Sequence, residues 1–123
     1  MSLLLNTKDK SHAIIFYSAK INMKKLLYID LDGVVADFVS AMNAHPLRHT
    51  PPYHEDPDTI PGLFRNLEPL KDAVDSVNKL LDSKKYEVYF LSTAPCGNTS
   101  AWSDKRIWLE EQFGDKINRK LGI

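Results

Sequence analysis

Residues Leu26 to Phe38, reading Leu-Leu-Tyr-Ile-Asp-Leu-Asp-Gly-Val-Val-Ala-Asp-Phe, constrain the fold more than any other stretch of the chain. Four apolar or aromatic residues in a row predict a strand buried on both faces, the pattern of a central parallel strand. Two carboxylates follow at i and i+2, Asp30 and Asp32, and then Gly33 and an amphipathic run. In open α/β sheets, ligands bind beyond the carboxyl ends of the strands, so the pair falls where such folds keep their chemistry. A lone Asp there serves equally well as a turn residue or a helix N-cap. Two acids around one residue on a buried strand end carry a desolvation and repulsion cost, which a bound cation offsets.

The remaining elements follow from periodicity and breakers. Val35, Phe38, Val39 and Met42 recur at helical spacing and predict a helix from about Val34 to Asn43. Pro46, Pro51, Pro52, Pro57 and Pro61 then exclude any long helix, so an irregular insertion over the strand-end site is expected. Asp72 to Ser83 has one apolar face and reads as a helix. Tyr86 to Leu91 reads as a second strand, with Tyr86, Tyr89 and Phe90 in the core. Ser103 is placed to cap a helix that ends at Phe113 before Gly114, with Trp102, Leu109 and Phe113 inward. Ile117 to Ile123 is the expected third strand. A helix between successive strands implies parallel pairing with a right-handed crossover.

Residues 1–22 read as an N-terminal extension, with Met23 suited to be a start and Ala13 to Tyr17 a short apolar strand. Sixteen basic residues balance sixteen acidic ones, so charge offers no argument for a nucleic-acid polymer or a membrane surface. The single cysteine, Cys96, excludes a disulfide framework within the chain and suits a reducing, cytoplasmic setting. The apolar run near the start is too short to span a bilayer.

What chemistry the residues offer depends on Asp30 and Asp32. A carboxylate beside a hard cation such as Mg²⁺ can attack phosphorus, and a second acid can protonate a leaving alkoxide and then deprotonate water. Gly33 lets the chain turn, so that the amides of Leu31 to Gly33 could face phosphate oxygens. Ser92 and Thr93 leave the second strand at the same edge, as phosphoryl-binding hydroxyls or as an ordinary turn. Lys105, early in the next helix, opposes the helix dipole there, so it is either a solvated lysine or the partner of an anion. Phe38 is core, or it edges a pocket where a base or sugar stacks. Prolines deny His45, His49 and His54 a common helical face, which argues against zinc. Cys96 has no partner nearby and reads as a bystander.

Taken together, Asp30-Leu31-Asp32-Gly33-Val34 after an apolar strand and Phe90-Leu91-Ser92-Thr93 at the end of the next resemble the haloacid dehalogenase-like (HAD) phosphohydrolases. Tyr28 to Phe38, Ile60-Pro61-Gly62-Leu63-Phe64, Leu67-Glu68-Pro69-Leu70, Leu91 to Pro95 and Ala101 to Lys105 are similar to the bacterial 5′(3′)-deoxyribonucleotidase group, over about Met23 to Ile123. The resemblance implies an α/β, three-layer Rossmann-type fold with a central parallel sheet and a small cap insert at about residues 43–63. It implies Asp30 as nucleophile forming an aspartyl-phosphate and Asp32 as general acid and base. It implies Mg²⁺ on the Asp30 side chain and the Asp32 main-chain carbonyl. Phosphate would meet Leu31, Ser92, Thr93 and Lys105, and Phe38 would line the nucleoside side of a small nucleotide monophosphate.

The family continues past the third strand with a strand ending in paired acids, which supply the remaining metal ligand. The expectation is therefore an incomplete core at residues 23–123, lacking its C-terminal strands and turning over weakly. The absent strand would flank the Asp30 strand and leave its edge bare, to be covered by Ala13 to Tyr17 or by a second copy in a homo-oligomer. Three readings follow: an Mg²⁺-dependent nucleotidase, an impaired relative that binds phosphate or a partner, and an interaction module built on the Pro/His-rich insert.

Overall fold

The computed structural model describes residues 24–122. Strands β1 (Lys25–Asp30), β2 (Tyr86–Leu91) and β3 (Leu121–Gly122) form one parallel sheet in that order. Three α-helices accompany them: α1 (Phe38–Ala44), α2 (Ala73–Asp82) and α3 (Ala101–Phe113). β1 and β2 are in register from Lys25 opposite Tyr86 to Asp30 opposite Leu91. Both strands therefore end at one edge, which positions the site. The extension at residues 1–22 and the expected strand Ala13 to Tyr17 lie outside the described residues.

One face of the sheet carries the core. Ile29 and Phe90 pack with Val77 of α2 and with Leu109 and Phe113 of α3, and the rings of Phe90 and Phe113 stack at 5.5 Å. The other face is open: Leu26 and Tyr28 are 63% and 59% exposed, and Leu91 is exposed beside them. Burial of β1 on both faces is thus not observed. The side chains alternate across the sheet, and α2 and α3 cover the same face. The parallel open sheet with its helices is that of the expected α/β, Rossmann-like fold, and among the described residues α2 and α3 make one helical layer. There, β2 is the central strand and β1 an edge. Tyr86 and Tyr89 are correspondingly half-buried, and Tyr89 lies beside Tyr28 on the open face.

The first helix starts at Phe38, not Val34. The amides of Val34, Val35 and Ala36 all turn onto the carbonyl of Leu31, and Asp37 then caps the helix by accepting from the Ser40 amide at 3.1 Å. Residues 35–37 also pair with the return segment. Leu70 donates to the Val35 carbonyl and Asp37 to that of Glu68, each at 2.8 Å. From His45 to Asp72 the chain is irregular apart from one 3₁₀ turn at Pro57–Thr59. Ile60, Leu63, Phe64 and Leu67 anchor it in the core.

The last helix corrects two expectations. It begins at Ala101 with Ser100 before it, so Ser103 is an exposed residue within the helix rather than its cap. Its inner face is Ala101, Asp104, Lys105, Trp108, Leu109 and Phe113, while Trp102 is only half-buried. Two charged residues on that face break the apolar pattern from which the inward stripe was read. Arg65 grips Glu111 on the outer side through both carboxylate oxygens, at 2.8 and 2.9 Å. That hydrogen bonding holds the Glu111 carboxyl below its usual range.

Trp108 links α3 to the return segment, donating from Nε1 to the Leu67 carbonyl at 2.6 Å in the core. Trp108→Phe leaves that carbonyl buried without its donor. The expected loss is about 1–3 kcal/mol, seen as a lower urea midpoint at unchanged slope. A midpoint equal to the parent's would exclude a contribution from this bond.

Candidate active site

The parallel register brings the chain leaving β1 alongside the chain leaving β2. Asp30 ends β1 with an exposed carboxylate, one oxygen of which accepts from the Leu31 amide at 2.8 Å. The Leu31 side chain is buried beneath it. Gly33 has φ of +78°, which L side chains rarely adopt, and its amide donates back to the Ala36 carbonyl at 2.9 Å. Of the three amides expected to face phosphate, those of Leu31 and Gly33 are therefore engaged within the protein. The Asp32 amide has no protein acceptor among the described residues.

Lys105 lies at the centre of the arrangement. It is 2% exposed, and its ammonium donates to Asp32 Oδ2 at 2.7 Å, to Ser92 Oγ at 2.8 Å and to the Thr93 carbonyl. An ammonium has three donors, and here each meets an oxygen, which offsets the cost of burying the charge. The ammonium also stands 4.4 Å from the centre of the Phe64 ring, a cation–π contact. Phe64 in turn stacks on Phe38 at 5.3 Å, nearly parallel.

The structure thus unites Asp32, Ser92, Thr93 and Lys105, with Asp30 two residues before Asp32 at the end of β1. Lys105 is the buried partner of an anion, not a solvated side chain. Ser92 is buried and points its hydroxyl at Lys105. Thr93 contributes its carbonyl, while its side chain is exposed. Phe38 is half-buried against the core. Sequence reasoning missed Phe64 as a member of the site. It was visible only as the end of an Ile-Pro-Gly-Leu-Phe turn, because contact with a residue forty-one positions later leaves no periodic signal.

Asp32 Oδ1 is buried and has no hydrogen-bond partner among the described residues. A buried carboxylate oxygen left unpaired is costly, so the atom is suited to a water, a cation or a ligand hydroxyl. Asp30 and the Asp32 main-chain carbonyl are hard oxygen donors of the kind Mg²⁺ takes. Mg²⁺ often accepts only one or two carboxylates and completes its shell with water and substrate phosphate. The donor set therefore fits the ion. No group of three or more His, Cys, Asp or Glu side chains that could hold a metal occurs among the described residues. His45, His49 and His54 do not form one, and Cys96 is exposed.

The ion pair predicts its own coupling. Lys105→Met leaves Asp32 partly buried without its cation, while Asp32→Asn/Lys105→Met removes both charges. In urea unfolding the double variant is expected to lose less than the sum of the single losses, by about 1–3 kcal/mol. Strict additivity would mean that the pair contributes nothing.

Comparisons with known proteins bear on this geometry. The chain is 35% identical over 103 residues to a Vibrio phage KVP40 protein named "Putative 5′(3′)-deoxyribonucleotidase", covering 84% of this chain and 59% of that protein. It is 29% identical over 110 residues to the 5′(3′)-deoxyribonucleotidase of Bacillus subtilis, covering 74% of this chain and 62% of that protein. An Acanthamoeba polyphaga mimivirus protein named "Putative 5′(3′)-deoxyribonucleotidase R824" is 31% identical over 80 residues, with 60% of this chain and 34% of that protein covered. No family model matches the chain. The chain spans less than two thirds of the length of each of these relatives. With two acids, a hydroxyl and a buried lysine at one parallel sheet edge, and with these matches, the chain is a relative of the 5′(3′)-deoxyribonucleotidases, of the haloacid dehalogenase-like type.

Proposed function

We propose that the chain carries the phosphate-handling centre of a nucleotidase that removes the phosphoryl group from small (deoxy)nucleoside monophosphates. The observation that carries this reading is the buried Lys105 ammonium, held between Asp32 and Ser92. A fixed positive charge in a water-poor setting stabilises developing phosphoryl charge far better than one in solvent.

In this reading the Asp30 carboxylate oxygen attacks phosphorus. The bond to the leaving nucleoside oxygen breaks, and Asp32 gives that oxygen its proton. Asp32 then takes a proton from the water that hydrolyses the aspartyl-phosphate, releasing inorganic phosphate and restoring Asp30. Lys105 holds Oδ2 of Asp32, which leaves Oδ1 as the atom free to carry the proton. Asp30 and the Asp32 carbonyl would hold Mg²⁺, which when bound neutralises charge between carboxylate and phosphoryl oxygens. Ser92 and the Asp32 amide receive the phosphoryl oxygens, Lys105 supplies its positive charge from behind Ser92 and Asp32, and Phe38 borders the nucleoside side.

The reading includes a cytoplasmic location and pairing of a second copy along β1, which is an edge strand among the described residues. Among the described residues, no helix is long and apolar enough to cross a membrane.

The test is release of inorganic phosphate from deoxyuridine monophosphate with and without Mg²⁺. Asp30→Asn is expected to lower kcat by at least about a thousandfold, and Lys105→Met by about a hundred- to a thousandfold. Full activity in Asp30→Asn, or activity indifferent to Mg²⁺, would contradict the reading. Saturable nucleotide binding with no release of phosphate would favour the second reading, a relative that binds without turnover.

A further inference from the structure

The irregular insert is tied to the site by a residue that the proposed chemistry does not use. Asn98 is 5% exposed and lies in the loop between β2 and α3. Both hydrogens of its side-chain amide are used: Nδ2 donates to the Asp58 carbonyl and to the Ile60 carbonyl, each at 3.0 Å. The side chain is aimed by its own turn. The Asn98 amide donates to the Pro95 carbonyl at 3.0 Å, and its carbonyl accepts from the Ala101 amide at 3.2 Å. Oδ1 lies 3.2 Å from Ser100 Oγ, whose hydroxyl donates to the buried Asp104 carboxylate at 2.7 Å. Gly97 also lies against the Thr59 side chain. A methyl group on Gly97 would stand 2.8 Å from Cγ2 of Thr59, between the two carbonyls that Asn98 holds.

The position of this clasp gives it meaning. The loop that carries Asn98 begins with Ser92 and Thr93 and runs into the first turns of α3, which carry Lys105. The insert is therefore fastened to the loop and helix that hold the Lys105 ammonium. It is not tied only to β1 and α1, from which it departs. A hinged cover would have to break both hydrogen bonds of the Asn98 side-chain amide on each opening and leave two carbonyls and a buried amide unpaired.

We propose that Asn98 is a positioning residue that fixes the insert as a rigid wall on the nucleoside side, so that substrates are selected by a preformed shape while phosphate is held independently. The proposal rests on the nucleotidase reading above. It predicts that loosening the clasp weakens nucleotide binding and leaves phosphate binding intact.

The test combines hydrogen exchange with titration. Asn98→Asp keeps the size of the side chain but replaces both donors with an oxygen, and Asn98→Ala removes them without adding charge. In both, amides of residues 45–63 are expected to exchange at least about tenfold faster, while those of β2 and α3 keep their rates. Affinity for inorganic phosphate stays within about twofold, and affinity for deoxyuridine monophosphate falls by about tenfold or more. Gly97→Ala probes the same contact without touching Asn98. It is expected to weaken the nucleotide in the same way, and Gly97→Ala/Thr59→Ser, which removes Cγ2, to restore it. Unchanged exchange across 45–63, or equal losses for phosphate and nucleotide, would overturn the proposal. If the parent binds no nucleotide at all, the nucleotidase reading fails, and the exchange rates still decide whether Asn98 holds the insert.

Discussion

A lysine ammonium does not enter a protein core unless its three hydrogens find oxygens, and the site is organised around meeting that demand at Lys105. The acceptors come from two different strand ends: Asp32 follows β1, and Ser92 and Thr93 follow β2. They converge only because β1 and β2 run parallel and in register. The charge is further sheltered by Phe64, which the return of the insert delivers and Phe38 backs. One buried cation thus requires the strand pairing, the start of α3 and the end of the insert to be correct together.

The rest of the described fold secures those parts. Trp108 ties α3 to Leu67, and Arg65 ties the return segment to Glu111 on the same helix. Residues 35–37 and 68–70 pair across the base of the insert, and Asn98 fastens its far side to the loop above β2. The insert is therefore held from three directions around one cleft. Stabilisation is concentrated on the face of the sheet that α2 and α3 cover, while the face bearing Leu26, Tyr28 and Leu91 contributes little.

Much of this was legible in the sequence where local chemistry decides. The Asp30-Leu31-Asp32-Gly33 turn, the two main strands, the second helix and the glycine stop at Gly114 follow from apolar runs and breakers. The edge shared by Asp30 and Ser92 follows from parallel pairing. What was not legible depends on contacts across the chain. Leu26 and Tyr28 look like core residues, yet their burial is decided by which face the helices cover. On the inner face of α3, Leu109 and Phe113 are inward as their spacing predicts, but the same face also holds Asp104 and Lys105. Their burial is intelligible only once Ser100, Asp32 and Ser92 are known to meet them. Phe64 and Asn98 are ordinary residues in sequence, and their roles come from partners about forty positions away.

A phosphate-handling centre here requires that the buried Lys105 charge hold an anion site ready at the sheet edge. Calorimetric titration of inorganic phosphate, in the presence of Mg²⁺, into the parent chain and into Lys105→Met measures this most directly. Saturable binding to the parent, weakened by about tenfold or more in Lys105→Met while the variant remains folded, is the predicted result. Equal affinity in the two proteins would contradict it.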